Sequence, residues 1–505
     1  MASLPLELIE QICSLLCFHC QKSGFFLDAE SKDVRSAKTT LSSFCLVSRR
    51  VCAVAQPFLF HYYSAGNLPS AHNCNARADT RDVRRRGDKL PEFLCSIIRR
   101  PDLASHVKIL QLVETDDISG LTPNLAPFLI TASEQVGTAH LAPTQEHLQA
   151  EIWSKSRQHE GLRIVKRRGV HHWLEEMAIL LSPNVQMIIL ARDSYCRYEH
   201  IRESGITLAS LEAIALMGAK KNQHVYEARD LFTAAPNLRT LYSIKCSLFD
   251  GLSPWALSKP WMLSLKNLRR LVIADIGFED LGLLVACCPE LRELELAATN
   301  IHRTGGINYW DVSKLLQTLQ PVRHQLRKLR FTHSPSQRPG MEQVPRVNGA
   351  SWSFREFTQL EELEFDQTVI SCRPRPTNTG GDTGFKVPMI EILPPSIKIL
   401  HFLCVNKDFM KDFQSLFVET SHFLPLLKSV RVSLPHGIDK RDFGYNYIDE
   451  ITSSFEIAGV RIQWDSGDVG ERPSTSTAGG TMLGSRLIPY FPIKPVIKSM
   501  EMLSL

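Results

Sequence analysis

Between Leu265 and Ile301 apolar and polar residues alternate in two different rhythms. Leu268, Leu271 and Ile273 follow L-x-x-L-x-L, and Leu291, Leu294 and Leu296 repeat the pattern 23 residues later. Alternation over so short a run predicts a strand with one buried face. Between the two runs, Leu281, Leu284, Val285 and Cys288 recur at i, i+3, i+4 and i+7, the stripe of an amphipathic helix. Asp280 and Pro289 are its expected start and stop signals. A strand–helix–strand unit leaves its sheet edges open, so it calls for further copies stacked beside it.

Those copies are present. Pro236-Asn237-Leu238-Arg239-Thr240-Leu241 comes earlier, with Cys246 at the ninth position of its repeat. Later come Leu326/Leu329/Phe331, Leu360/Leu363/Phe365, Ile397/Leu400/Phe402 and Leu427/Val430/Val432, with weaker copies at Val107/Leu110/Leu112 and Val185/Ile188/Leu190. From Leu238 onward the spacings are 30, 23, 35, 34, 37 and 30 residues. This pattern resembles the leucine-rich repeat family in an irregular form. The expected fold class is α/β, with parallel strands on the concave face of a solenoid and helices outside. Unrelated amphipathic strands in an ordinary α/β domain are the other reading.

Charges beside the repeat leucines alternate in sign. They are basic at Arg269 and Arg270, acidic at Glu293 and Glu295, and basic at Arg327, Lys328 and Arg330. They turn acidic at Glu361, Glu362 and Glu364, then basic at Lys398, Lys428 and Arg431. Parallel strands stacked in chain order set opposite signs side by side, each pair contributing roughly a few tenths of a kcal/mol. Arg270, Glu295, Arg330 and Glu364 are therefore candidate target-binding residues. A solvated, self-paired charge ladder explains them equally well.

The N-terminus follows a helical pattern instead. After Leu4 and Pro5, the residues Leu8, Ile9, Ile12, Leu15 and Leu16 give a wide apolar face. A second block, 41–63, keeps helical spacing through Phe44, Val47, Val51, Val54 and Ala55 up to Pro57. Two such short helices cannot bury all of this surface against each other, so a partner or another domain must cover some of it. Leu4-Pro5-x-Glu7-Leu8-Ile9-x-x-Ile12, followed by Leu46-Val47-Ser48-Arg49-Arg50 and Ala55-Gln56-Pro57-x-Leu59-Phe60, resembles a fungal-type F-box. The resemblance implies a small helical module that docks onto the adaptor subunit of an SCF-type cullin–RING ubiquitin ligase. Leu4, Pro5, Leu8, Ile9, Ile12, Leu46, Val47 and Arg49 fall at adaptor-contacting or motif-defining positions. The departure from the family is a long insert at 18–40.

The expected organisation is an F-box-like module at 1–63, a polar basic linker at 64–89, the solenoid at 90–464, and a flexible Gly/Ser/Thr-rich segment with a C-terminal tail at 465–505. The expected function is substrate recognition for the ligase, with the repeats holding a protein target. The alternative is a non-ligase interaction scaffold in which the N-terminal helices only cap the solenoid. The partners expected are the adaptor, cullin through it, and a protein substrate, with no nucleic acid and no membrane.

Composition adjusts this picture little. The 505 residues are 44% hydrophobic and carry a net charge of 58 − 53 = +5, too mild to argue for nucleic acid. No apolar run approaches a membrane span, and no secretion signal is expected. Thirteen cysteines without disulfide-like spacing fit reduced thiols in the cytoplasm or nucleus.

Catalytic and metal chemistry find little support. Cys17-x-x-Cys20, near Cys13 and His19, is half of a zinc pattern that lacks a second pair, and core thiols are the expectation. His171 and His172 are adjacent and so diverge on a helix. Asp382-Thr383-Gly384 and Asp465-Ser466-Gly467 match aspartic-protease triplets, but neither sits in an apolar strand pattern. No phosphate-binding loop, dinucleotide fingerprint or zinc-protease motif occurs. The expectation is a non-enzyme with no cofactor and no metal.

Overall fold

The computed structural model describes residues 4–21, 32–64, 89–113, 121, 124–144, 160–192, 198–218, 224–244, 246–248, 263–274, 276–298, 312–333, 352–366, 388–403, 405, 416, 422–434 and 445–465. Helix α1 spans Leu6–Leu16, α2 Phe18–Gln21, α3 Lys32–Cys45 and α4 Arg49–Phe60. The strands are β1 Tyr62–Ser64, β2 Ile109–Val113, β3 Met187–Arg192, β4 Ala213–Gly218, β5 Thr240–Ile244 and β6 Arg270–Ala274. They continue with β7 Glu293–Ala298, β8 Lys328–His333, β9 Glu362–Asp366, β10 Ile399–Leu403, β11 Ser429–Ser433 and β12 Arg461–Asp465.

Among the described residues twelve strands form one sheet whose order equals the order of the chain, and every neighbouring pair is parallel. Strict succession marks a solenoid, because doubly wound sheets reverse strand order. Register follows the leucines. Leu241, Leu271, Leu294, Leu329, Leu363, Leu400, Val430 and Ile462 form one continuous row. Ile273, Leu296, Phe331, Phe365, Phe402 and Val432 form the next inward row, where Phe331 and Phe365 stack at 5.9 Å and Phe402 meets Phe365 edge-on at 5.2 Å. Apart from the half-buried Ile462 at the end, both rows are buried in a core shared with the helices, among them Leu90–Arg99, Glu160–Leu180 and Phe278–Ala286. Each buried leucine contributes roughly 2 kcal/mol of transfer free energy.

A column of main-chain hydrogen bonds runs beside these rows. The Arg269 carbonyl accepts from the N–H groups of Arg292 and Glu293, and the Arg292 carbonyl from those of Arg327 and Lys328. The same double acceptance recurs at Lys108, Gln186, Glu212, Arg239, Arg327, Glu361 and Lys398. It starts at His61, whose carbonyl accepts from Lys108 and Ile109 at 3.0 and 2.9 Å. The residue that ends α4 therefore opens the sheet, and the first rung is β1, one strand before the Val107 repeat seen in the sequence.

Several expectations change in detail. β4 escapes the repeat search, although Leu211, Ile214 and Leu216 have the right spacing. Gly277, not Asp280, caps the helix Phe278–Ala286, and the Asp280 carboxylate instead accepts the Leu248 N–H at 3.1 Å. The block 41–63 is broken at Leu46–Ser48, where the Ser48 hydroxyl caps α4 by accepting from Val51 N–H. The insert at 18–40 contains α2 and the first part of α3, which leaves 22–31 outside the described residues. Asp382 and the tail at 466–505 lie outside them as well. Asp465 closes β12, and no helix among the described residues is long and apolar enough to cross a membrane.

Candidate functional site

The N-terminal helices have a core of their own. Ile9, Cys13, Cys17, Leu41 and Ala55 are buried together, with Leu16, Phe44, Val51, Val54, Phe58 and Leu59 packed around them. Ile9 and Cys13 share one stripe of α1. Leu8, Ile12 and Leu15 form a second stripe, about 100° away from the first. The second stripe is exposed, with Leu8 at 43%.

Arg50 at the start of α4 donates to the Leu4 carbonyl at 3.1 Å, which sets the α3–α4 turn beside the start of α1. That turn carries Leu46, 85% exposed, and Val47. Of the eleven large apolar side chains exposed among the described residues, seven belong to this module: Leu4, Leu6, Leu8, Ile12, Leu15, Leu46 and Val47. Apolar side chains exposed singly are ordinary, whereas a cluster marks an interaction surface. Of the residues expected to touch an adaptor, Leu4, Pro5, Leu8, Ile12, Leu46, Val47 and Arg49 are exposed. Ile9 is the exception: at 3% exposure it belongs to the module's interior, and its side chain has no surface to offer a partner.

The sheet face opposite the inward rows divides into two regions. Over β2–β5 it is buried and, apart from Gln111 and Thr240, apolar, through Ile109, Val113, Met187, Ile189, Ala191, Ala215, Met217 and Tyr242. From β6 onward charged side chains join it, beside the buried Val272, Ala274 and Ala297. Glu295 lies between Arg270 at 2.8 Å and Arg330 at 3.5 Å, Arg330 reaches Glu364 at 2.5 Å, and Glu364 reaches His401 at 2.9 Å. On the neighbouring row Lys328 pairs with Glu362 at 2.8 Å. Burial works against ionisation of Glu364, but His401 and Arg330 outweigh it and hold the carboxyl below its usual range. The four residues proposed from sequence as target contacts thus form one ladder with each other. Glu295, 4% exposed, offers little surface to a partner.

Other polar groups are joined in ways the sequence does not show. His172 and His200 converge on the buried Glu176, at 2.8 and 2.9 Å, while His171 faces Glu175. Cys13 and Cys17 are buried as expected, but Cys20 is at the surface, and Cys17, His19, Cys20 and His61 meet at one point. Lys38 lies beside them with its ammonium 4.4 Å over the Tyr62 ring, and burial lowers it to about 8 although the nearby Cys17 favours its charge. His61 is 41 residues from Cys20. Only the return of α4 beneath α1 and α2 brings it there, so the Cys-x-x-Cys spacing alone gives no sign of it.

No family model matches the chain, and no curated protein does. Among solved structures, that of human trophoblast glycoprotein (Wnt-activated inhibitory factor 1) is similar at 18% identity, over 55% of this chain and 77% of that one, with a TM-score of 0.26. So low a score carries no argument about function or shape. The solenoid reading rests on strand order and register.

Proposed function

We propose that this chain is a substrate-recognition subunit of an SCF-type cullin–RING ubiquitin ligase. The module at 4–60 holds the adaptor, and the repeats hold a protein target. The observation that carries the reading is the exposed apolar face of Leu4, Leu8, Ile12, Leu46 and Val47 on a module whose core is already filled by other residues. A cap on the solenoid has no need of that face. No covalent chemistry is asked of this chain: it raises the effective concentration of a target lysine near ubiquitin activated elsewhere. The half-exposed face of β8–β11 is the part of the sheet offered to the target, since the face over β2–β7 is largely buried.

A second reading has an observation of its own. The main-chain column begins at His61, so α4 also serves as the solenoid's N-terminal cap. In a scaffold without ligase function, capping would be its whole task.

A pull-down of the full chain with purified adaptor separates the two. Retention by the intact protein and loss in Leu8→Asp and Leu46→Asp, with circular dichroism unchanged, supports the ligase reading. Both side chains are exposed, so neither substitution disturbs the core. Failure of the folded, intact chain to bind the adaptor leaves only the scaffold.

A further inference from the structure

Cys17 is the C-cap of α1, His19 and Cys20 lie on α2, and His61 is the C-cap of α4. Their ligand atoms all lie within 4.8 Å of one another. Cys17 Sγ and Cys20 Sγ are each 3.5 Å from His61 Nδ1, and Cys20 Sγ is 3.9 Å from His19 Nδ1. Zn–S bonds of about 2.3 Å and Zn–N bonds of about 2.0 Å at tetrahedral angles separate sulfur from nitrogen by about 3.5 Å. Both separations to His61 match that geometry, and the one from Cys20 to His19 closes to it with a shift of about 0.4 Å. Packing does not explain the cluster, because Cys20 is exposed and both imidazoles are only half-buried.

We propose that Cys17, His19, Cys20 and His61 form a structural zinc site. Two thiolates and two imidazoles in tetrahedral array are the donor set zinc takes in closed sites. A filled set of four protein ligands leaves no position for a substrate water. Cys17 anchors the site from the module's core, and Cys20 leaves a solvent-side path for loading. The ion ties three elements together at the point where the module joins the sheet, since the His61 carbonyl bonds Lys108 and Ile109. It therefore fixes the angle between the exposed face of α1 and the first rung. The site does not depend on the ligase reading.

The test uses the full chain purified under reducing conditions and dialysed against metal-free buffer. Elemental analysis is expected to find about one zinc per chain. Cobalt(II) added to the demetallated protein is expected to give the intense d–d bands of a tetrahedral site and a thiolate charge-transfer band. Cys20→Ser and His19→Gln remove surface ligands and leave the core intact. Since loss of a mere supporting group weakens metal binding by roughly 10–100-fold, loss of a ligand should weaken it by at least about 100-fold. Should either variant misfold, the cobalt spectrum of the native chain decides alone. Absence of zinc together with an octahedral cobalt spectrum overturns the proposal. So does a Cys17–Cys20 disulfide trapped by alkylation in fresh lysate, or unchanged affinity in both folded variants.

Discussion

Glu176 shows how a single buried charge is held. Burial by itself would raise its carboxyl, but hydrogen bonds from His172 and His200 prevail and bring it from the usual 4.5 down to about 2. A carboxylate with a depressed folded value stabilises the protein fully above its unfolded value, and that contribution is lost as pH falls toward the folded one. The window here runs from about 4.5 down to about 2, and the contribution is on the order of 3 kcal/mol. Urea unfolding of the native chain and of Glu176→Gln across that window is expected to show the steeper decline in the native chain. Parallel curves would assign the acid sensitivity to other groups. Cys246 has a quieter role: its thiol donates to the carbonyls of Leu216 and Ile244, and burial raises it to about 12, so it stays protonated and unreactive.

Four rungs are stitched to the one before by a side chain just ahead of the first repeat residue. Asn184 donates to the Ser105 carbonyl at 2.8 Å, Asn237 to Ala209 at 2.8 Å, and Asn267 to Pro236 at 2.7 Å. Gln325 does the same to Pro289. Asn267→Ala is expected to lower unfolding free energy by roughly 0.5–1 kcal/mol, read from urea midpoints, because the carbonyl it leaves regains water. A neutral result would mean that the main-chain column alone sets the stacking. The amides were visible as Pro-Asn-Val, Pro-Asn-Leu and Lys-Asn-Leu, but a polar residue before an apolar run has no periodicity to mark it. The leucine rows were legible because period-two burial leaves a local signature. The weak β4 repeat, Ala213–Gly218, was hidden by alanines and a glycine on a strand buried on both faces. In the module, the exposed stripe of α1 was legible as excess apolar surface. Which of Leu8 and Ile9 faces inward depends on where α3 and α4 pack, and a single helix cannot tell.

Both ends of the sheet are protected. β1 is only three residues long and continues directly from α4, and β12 turns Arg461, Gln463 and Asp465 outward, polar groups that discourage edge pairing. A chain beginning at Lys89 would make β2, with the sequence Ile-Leu-Gln-Leu-Val and every residue buried, the new edge. Size-exclusion chromatography of that truncation is expected to show soluble aggregates where the full chain runs as a discrete species. A well-behaved truncation would mean that the N-terminal helices are dispensable to the repeats.

The chain-order sheet is also a measure of length. Eleven steps separate β1 from β12, and at about 4.8 Å per step the path along the strands is on the order of 50 Å. On the function proposed above, the number of repeats, more than the chemistry of any one of them, would set how far a target is held from the adaptor on the N-terminal helices. Removing a whole rung would shorten that reach by about 5 Å and leave every local contact type unchanged.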